Sequence, residues 1–357
     1  MPPPYPNGWY AVCFAWEVER GQVISVQALG RELAVWRSDE GKVSVMSAYC
    51  PHLGANLAIG GTVKNGCLQC PFHGWEFNLD GSVKSIQGCE EHAPKKTRAE
   101  TYYSVEQNNM ILVWFDASAD AFRRGRCEKP ADSDLPRWQV PTESCLDSYS
   151  FVGLVEHSVA CLLVEIPENG ADGAHLTTVH APFVVPQLTG ILDHDWLFTW
   201  TPGSEESNKH TAVVEMQLGM RVFGKLVDAL MVKVHVTQVG PALVHEYLIL
   251  PFGLGTIYFA STVTPVKPLL QRYTHVMWAP SWLPRFIPKM LLRGLLVQVN
   301  RDVPIWNNKT YRAQPPYSAQ DKNIAKFRRW FSQFYSHDSE TFDEAMTAER
   351  SKAVLEW

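Results

Sequence analysis

Apolar side chains recur at alternating positions through the first third of the chain, and that two-residue rhythm predicts strands rather than helices. Gln22 to Leu29, Arg31 to Arg37 and Lys42 to Ala48 carry Val, Ile, Leu and Trp in this way, divided by Gly30 and by Asp39-Glu40-Gly41. Val83 to Ile86 and Tyr102 to Phe115 continue it, with Asn108-Asn109 as the expected hairpin turn. The prediction is a small all-β domain over residues 5–118. Residues 119–141, rich in Asp, Arg, Pro and Ser, read as a linker or surface segment. Longer strand patterns follow at Tyr149 to Val159, Leu192 to Trp200, Thr211 to Gln217, Leu230 to Val239, Leu243 to Leu250, Thr256 to Thr264 and Gln271 to Trp278. Their length and spacing suit an antiparallel sheet with one apolar face. Lys289 to Ile305 and Asp321 to His337 change to a three-and-four-residue repeat, which predicts helices. The fold class is therefore α+β, with a second domain over residues 142–357.

Composition narrows the function classes. The chain has 357 residues, 46% hydrophobic and 19% charged, with a formal net charge of -5. That balance is globular, and the acidic surplus argues against a nucleic-acid partner. No apolar run reaches the roughly 20 residues of a membrane span. The opening Pro2-Pro3-Pro4-Tyr5 does not resemble a signal peptide. Eight cysteines are scattered without a regular framework, which suits a reducing compartment and a metal site better than disulfides.

The chemistry starts at Cys50-Pro51-His52, followed after 17 residues by Cys70-Pro71-Phe72-His73. Two Cys/His pairs on facing loops suit a two-iron, two-sulfur cluster of mixed ligation, with Cys50 and Cys70 on one iron and His52 and His73 on the other. Gly54, Gly60, Gly61, Gly66 and Gly74 would permit tight loops around it, and Trp75 and Phe77 would shield one side. Zinc is the rival reading, because Cys67-x-x-Cys70 has zinc-like spacing.

These motifs resemble the Rieske domain of Rieske non-haem iron oxygenases, through Cys50-Pro-His-Leu-Gly-Ala-Asn-Leu-Ala-Ile-Gly-Gly61 and Cys70-Pro-Phe-His-Gly-Trp75. Tyr5-Pro-Asn-Gly-Trp-Tyr10 and Ala48-Tyr-Cys-Pro-His-Leu-Gly-Ala-Asn56 look more narrowly like the Neverland-type cholesterol 7-desaturases of animals. The resemblance implies an antiparallel catalytic domain of helix-grip, START-like type with C-terminal helices.

A cluster alone moves electrons, so a catalytic metal is expected downstream. His175 and His180 lie five apart, and a loosening of the helix after His175 would let both rings meet one ion. Two histidines and one carboxylate make the facial triad of non-haem Fe(II) oxygenases. Charge alone leaves Asp193, Asp195, Glu215, Asp228 and Asp302 as candidates for the carboxylate. The family pattern E/D-x3-D-x2-H-x4-H matches Glu168, Asp172, His175 and His180 in full. By resemblance His175 and His180 bind iron, and Asp172 bridges His175 to the cluster histidine, His73, of a neighbouring subunit. Gln298-Val-Asn-Arg-Asp-Val-Pro-Ile-Trp-Asn-Asn-Lys309 resembles the signature of steroid-acting members such as 3-ketosteroid 9-alpha-hydroxylases, which assigns the iron-binding aspartate to Asp302. Arg328-Arg-Trp-Phe-Ser-Gln-Phe-Tyr335 also looks like these relatives.

The implied activity is O2- and NAD(P)H-dependent 7,8-desaturation of cholesterol to 7-dehydrocholesterol. Implied with it are a [2Fe–2S] cluster, mononuclear Fe(II), a separate reductase or ferredoxin, and a homotrimer. An intracellular protein is expected, associated with the endoplasmic-reticulum membrane in its full-length form, the alternative being cytoplasmic. Phe183-Val-Val185, Leu188, Ile191, Leu218, Met220, Phe223, Leu226, Leu230 and Met231 would line a long apolar cavity for the sterol, although core packing explains such residues equally. Steroid hydroxylation is the competing activity. An electron-transfer protein and a sterol carrier are the competing classes.

Overall fold

The structure is a computed structural model that describes residues 1–87, 97–123 and 135–355. The chain forms two compact units. One comprises Tyr5–Thr142, Thr264–Lys267 and the segment from Asp338 onward, and the other comprises Met1–Pro4, Glu143–Val263 and Pro268–His337.

The first unit is built from β1 (Gly8–Phe14), β2 (Val23–Ala28), β3 (Arg31–Arg37), β4 (Val43–Ser47), β5 (Thr62–Lys64), β6 (Cys67–Gln69), β7 (Trp75–Phe77), β8 (Val83–Ile86), β9 (Thr101–Tyr102), β10 (Ser104–Gln107), β11 (Met110–Phe115) and helix α1 (Ala117–Arg123). Its sheets run β1-β11-β10, β2-β3-β4-β9 and β5-β6-β7-β8. All paired strands are antiparallel, and Asn108-Asn109 turns the β10–β11 hairpin with both residues at positive φ. β11 is buried at every position, so it reads as a continuous apolar run instead of an alternation. Trp36, Met46, Leu57, Leu68 and Phe77 form a core that also contains Cys50 and Cys70, so the cluster loops are rooted in packed side chains.

Two features depart from the expected boundary at 118. Ala117–Arg123 is helical rather than linker: Asp116 Oδ1 accepts the Ser118 N–H at 2.9 Å, a cap that a turn-like composition hides. Trp9 Nε1 donates to Trp138 O at 2.9 Å and Asn108 Nδ2 to Pro141 O at 2.8 Å, which ties residues 138–141 to this unit. The rest of the expected linker, 124–134, lies outside the described residues. The helix α6 (Phe342–Leu355) falls in this unit too, not in the second as the 142–357 reading supposed.

The second unit contains β12 (Tyr149–Val159), α2 (Glu165–Glu168), α3 (Gly173–Val179), β13 (Leu192–Pro202), β14 (Thr211–Val222), β15 (Lys225–Leu226), β16 (Val232–Val239), β17 (Leu243–Ile249), β18 (Thr256–Lys267), β19 (Leu270–Pro280), α4 (Phe286–Asn308) and α5 (Lys322–Phe331). Its eight-stranded sheet has the order β12-β19-β18-β17-β16-β14-β13, with β15 pairing β14. Expected and observed strands agree to within a few residues; β14 runs five residues further than predicted. Ile287, Leu291, Leu292 and Leu295 of α4 pack on Ile257, Phe259, Met277 and Ala279 of the sheet. Gly153 permits this approach: a Cβ there would meet Leu292 Cδ2 at 2.7 Å. The helix expected over 321–337 is α5 followed by a 3-10 turn at Ser332–Phe334.

Phe327, Phe331 and Phe334 are at most 2% exposed and join Trp200 and Trp330 in an aromatic cluster. Phe327→Ala should therefore cost about 3–5 kcal/mol. Chemical unfolding followed by tryptophan fluorescence measures it, and a loss under about 1 kcal/mol would contradict this packing account.

Candidate metal centres

In the first unit, the loops after β4 and between β6 and β7 repeat one hydrogen-bond pattern. Cys50 N–H donates to Ala55 O at 2.9 Å and Gly54 N–H to Cys50 O at 2.9 Å. Cys70 N–H donates to Trp75 O at 2.8 Å and Gly74 N–H to Cys70 O at 3.2 Å. Gly54 and Gly74 hold φ of 75° and 67°, and a Cβ on Gly74 would meet Gln87 Oε1 at 2.7 Å. The quartet divides into two pairs. Cys50 and Cys70 are each 3% exposed and their side chains interact, while the exposed His52 and His73 rings lie 4.8 Å apart. His52 also stacks on Trp75 at 4.7 Å.

Two buried sulfurs beneath two outward imidazoles fit a rhomb with one thiolate-bound and one imidazole-bound iron. Burial, aided by the neighbouring Cys70, pushes the Cys50 thiol up to about 11, so thiolates there require a cationic partner. Cys67 points elsewhere, with its Sγ 3.4 Å from Asn78 Oδ1, which removes the basis for a zinc pair with Cys70. Phe77 is wholly buried in the core below the loops, while Trp75 does the shielding at His52.

In the second unit, His175, His180 and Asp302 bring one ligand atom each within 4.8 Å of one another, the one such group of three among the described residues. Two helices place them. Asp172 caps α3, its Oδ1 accepting the N–H groups of Ala174 (3.0 Å) and His175 (3.2 Å). His175 then sits in the first turn. The helix does not loosen after His175 as expected but runs unbroken to Val179; His180 is its C-cap residue, and the two ring centroids lie 5.0 Å apart. Asp302 comes from α4, 8% exposed, with Oδ2 3.2 Å from His180 Nε2.

Both imidazoles are oriented from behind. His175 Nδ1 faces Asp172 O at 2.5 Å and His180 Nδ1 faces Gln298 Oε1 at 2.8 Å. A proton on each Nδ1 donates to these oxygens and leaves each Nε2 lone pair for a cation. Desolvation lowers the His175 pKa, which favours the neutral, ligating ring. Arg301 is occupied by the carbonyls of Pro182 (2.8 Å) and Phe183 (2.9 Å) and by Gln298 Oε1 (2.9 Å), so Asp302 is not neutralised by its neighbour. The donor set fits a divalent iron.

Gln298 is the residue that sequence reasoning missed. Its signal was present: Gln298, Arg301 and Asp302 have the spacing of a single helix face. The other carboxylates left open are elsewhere: Asp195 pairs with Arg221 at 3.2 Å, Glu215 pairs with His235 at 2.6 Å, Asp193 accepts from Gly190 N–H, and Asp228 is exposed. Glu168 is held by Arg328 through two bonds of 2.5 and 3.0 Å, and joins neither centre.

His175 and Asp302 also line a cavity of about 180 Å³. Its apolar walls are Leu176, Phe198, Val214, Met216, Val236 and Val244. None of the residues expected to line it does so. Val185, Leu188, Ile191, Phe223 and Leu230 lie in connections beside β13, β14 and β16, Leu226 lies in the short β15, and all six are 37–76% exposed. An apolar count cannot separate cavity wall from solvent-facing turn when both are apolar. Leu218 and Met220 are half-buried on the same face of β14 as Val214 and Met216, and so extend that wall toward the strand end.

Fold and donor chemistry together define the class, an iron oxidoreductase with a Rieske module. The Rieske [2Fe-2S] domain matches residues 8–102, and the 3-Ketosteroid 9alpha-hydroxylase C-terminal domain matches 113–335. A cholesterol 7-desaturase of Bombyx mori is 38% identical over 97% of this chain and 73% of its own, and one of Xenopus laevis is 39% identical over 95% and 74%. A "Probable 3-ketosteroid-9-alpha-monooxygenase, oxygenase component" of Rhodococcus rhodochrous is 27% identical over 94% and 81%. Dicamba monooxygenase shares the fold, with a TM-score of 0.66 at 17% identity over 92% of this chain and 97% of its own. The chain belongs to the Rieske non-haem iron oxygenases, within the family of the cholesterol 7-desaturases. It is an oxidoreductase that uses a [2Fe–2S] cluster and mononuclear iron, with NAD(P)H electrons supplied by a reductase.

Gln298→Leu should weaken mononuclear iron about 10–100-fold by freeing the His180 ring, with cluster absorption unchanged. Competitive chelation followed by metal analysis reads this, and unchanged iron retention would refute the orienting role.

Proposed function

We propose that this protein is the oxygenase component that desaturates cholesterol between C7 and C8, yielding 7-dehydrocholesterol. The observation that carries the reading is a buried two-histidine, one-carboxylate group opening on an apolar cavity, in a chain 38% identical to a cholesterol 7-desaturase over nearly its whole length. The balance is cholesterol, O2, NAD(P)H and one proton giving the diene, NAD(P)+ and two waters.

In this reading Cys50, Cys70, His52 and His73 hold the cluster, and His175, His180 and Asp302 hold the catalytic iron. When bound, that iron supplies dioxygen activation. The chain does the rest. The walls formed by Val214, Met216 and Val236 exclude water and hold the ring system against the His175 side of the cavity. Asp172 spends Oδ1 on capping, while Oδ2 has no partner among the described residues. That free oxygen supports a bridge to His73 of a neighbouring subunit in a head-to-tail homotrimer, where a carboxylate between two imidazoles fixes both tautomers. Glu168 acts as a positioning residue, its pair with Arg328 tying α2 to α5.

Endoplasmic-reticulum association belongs to the same reading. No helix among the described residues is long and apolar enough to cross a membrane. The support is instead the exposed apolar rim at one end of the sheet, where Phe223, Phe252, Trp282, Phe286 and Met290 are 63–76% exposed.

Steroid hydroxylation is the second reading, favoured by the match of residues 113–335 to the 3-ketosteroid 9-alpha-hydroxylase domain. Purified holoprotein incubated with cholesterol, dioxygen and a surrogate reductase separates the two by product mass. A product two hydrogens lighter is expected, and one oxygen atom heavier would overturn desaturation. His175→Ala should abolish product while leaving the visible absorption of the cluster; surviving turnover would remove His175 from the iron site.

A further inference from the structure

Gln238 is 3% exposed on β16, yet its Nε2 has no hydrogen-bond partner, and the residue lines the cavity that His175 and Asp302 also line. A buried amide left unpaired is costly, so such a group marks a place where something else supplies an oxygen. Its neighbours are polar too. Val236 pairs with Glu246 and Gln238 with Val244 across β16 and β17, which sets Glu246 diagonal to Gln238 on one face. Ser261 of β18 donates its hydroxyl to Glu246 Oε1 at 2.7 Å and lies 2.7 Å from His275 Nδ1. Burial raises the Glu246 carboxyl above its ordinary range, which shifts the balance toward the neutral acid. The β16–β17 turn closes this end, with Val239, Ala242 and Leu243 at most 2% exposed.

We propose that Gln238 and Glu246 form an oxygen-recognition site at the closed end of the catalytic cavity, taking a neutral hydroxyl such as the 3-hydroxyl of a sterol. The identity of that hydroxyl rests on the sterol reading above, whereas the polar site rests on the geometry alone. A hydroxyl both accepts and donates, so it satisfies the amide N–H and shares a bond with the carboxyl. The same face of β14 that begins at Val214 beside this site continues through Leu218 and Met220, so the ligand lies with its oxygen inward and its hydrocarbon tail outward. The site selects ligands carrying oxygen at that position because its polar groups stay unpaired with a hydrocarbon.

The test measures equilibrium binding of cholesterol and of its 3-deoxy analogue to anaerobic holoenzyme, then kcat and KM with each. Wild type should prefer the hydroxylated ligand about 10–100-fold. Gln238→Met, close in volume and without the amide, should erase that preference by weakening cholesterol alone, and Glu246→Gln should retain part of it. Equal binding of both ligands by wild type overturns the proposal even if every variant misfolds. An equal loss for both ligands in Gln238→Met also overturns it, since that is the mark of a packing role. A strong preference for the hydroxyl together with an oxygenated product would leave this site standing and remove desaturation instead. Equal binding together with a desaturated product would do the reverse.

Discussion

Asp302 lies buried with an oxygen 3.2 Å from the Nε2 of His180, and much of the catalytic unit is arranged around that approach. A carboxylate withdrawn from water is tolerated only when a cation or donors compensate it. The obvious cation, Arg301, is turned away onto the carbonyls of Pro182 and Phe183. Its removal leaves a negative charge facing two imidazoles whose Nδ1 atoms are already engaged. Such a group is poised for a divalent ion, and the helix α4 has to bring Gln298, Arg301 and Asp302 to bear together for it to exist.

That requirement reaches into the packing. α4 seats on the sheet through Ile287, Leu291, Leu292 and Leu295, with Gly153 of β12 allowing Leu292 to come close. From the other side, Asp172 fixes the start of α3 and thereby His175, while the helix end fixes His180. A carboxylate that caps one helix and a carboxylate that approaches from another are thus separate devices acting on one pair of rings. The cluster loops solve an equivalent problem differently. They rely on backbone bonds repeated at Cys50 and Cys70 and on left-handed glycines, so their geometry belongs to hairpins instead of helix ends.

Much of this was legible in the sequence, because each legible part depends on local spacing. The strands Arg31–Arg37 and Tyr149–Val159, the Asn108-Asn109 turn and the two Cys/His pairs are short-range patterns. The choice of Asp302 over Asp195 or Glu215 was not local and came from resemblance; the structure brings Asp302 beside His180 and pairs those alternatives with Arg221 and His235. Two things stayed hidden. Helix α6 joins the first unit through long-range packing that no window of residues reveals. The cavity wall was misplaced because Phe223, Leu226 and Leu230 are as apolar as Val214, Met216 and Val236, and only the strand register separates exposed turn from inward face.

The same register explains why the misplaced residues are still informative. Leu192 pairs with Val222, Lys233 with Ile249, Ile249 with Thr256, and Tyr149 with Pro280, so these strand ends share one edge of the sheet. Phe223, Phe252 and Trp282 follow directly from it and are exposed. Gln238 and the buried β16–β17 turn lie at the opposite end of the same strands. One face of the sheet therefore passes from an apolar rim, along half-buried Met220 and Leu218, to a cavity that ends in an amide and a carboxyl. A polarity gradient of that direction orients an amphipathic ligand without any moving part, because either reversed end would leave polar groups unpaired in the cavity or a hydroxyl stranded among hydrocarbon.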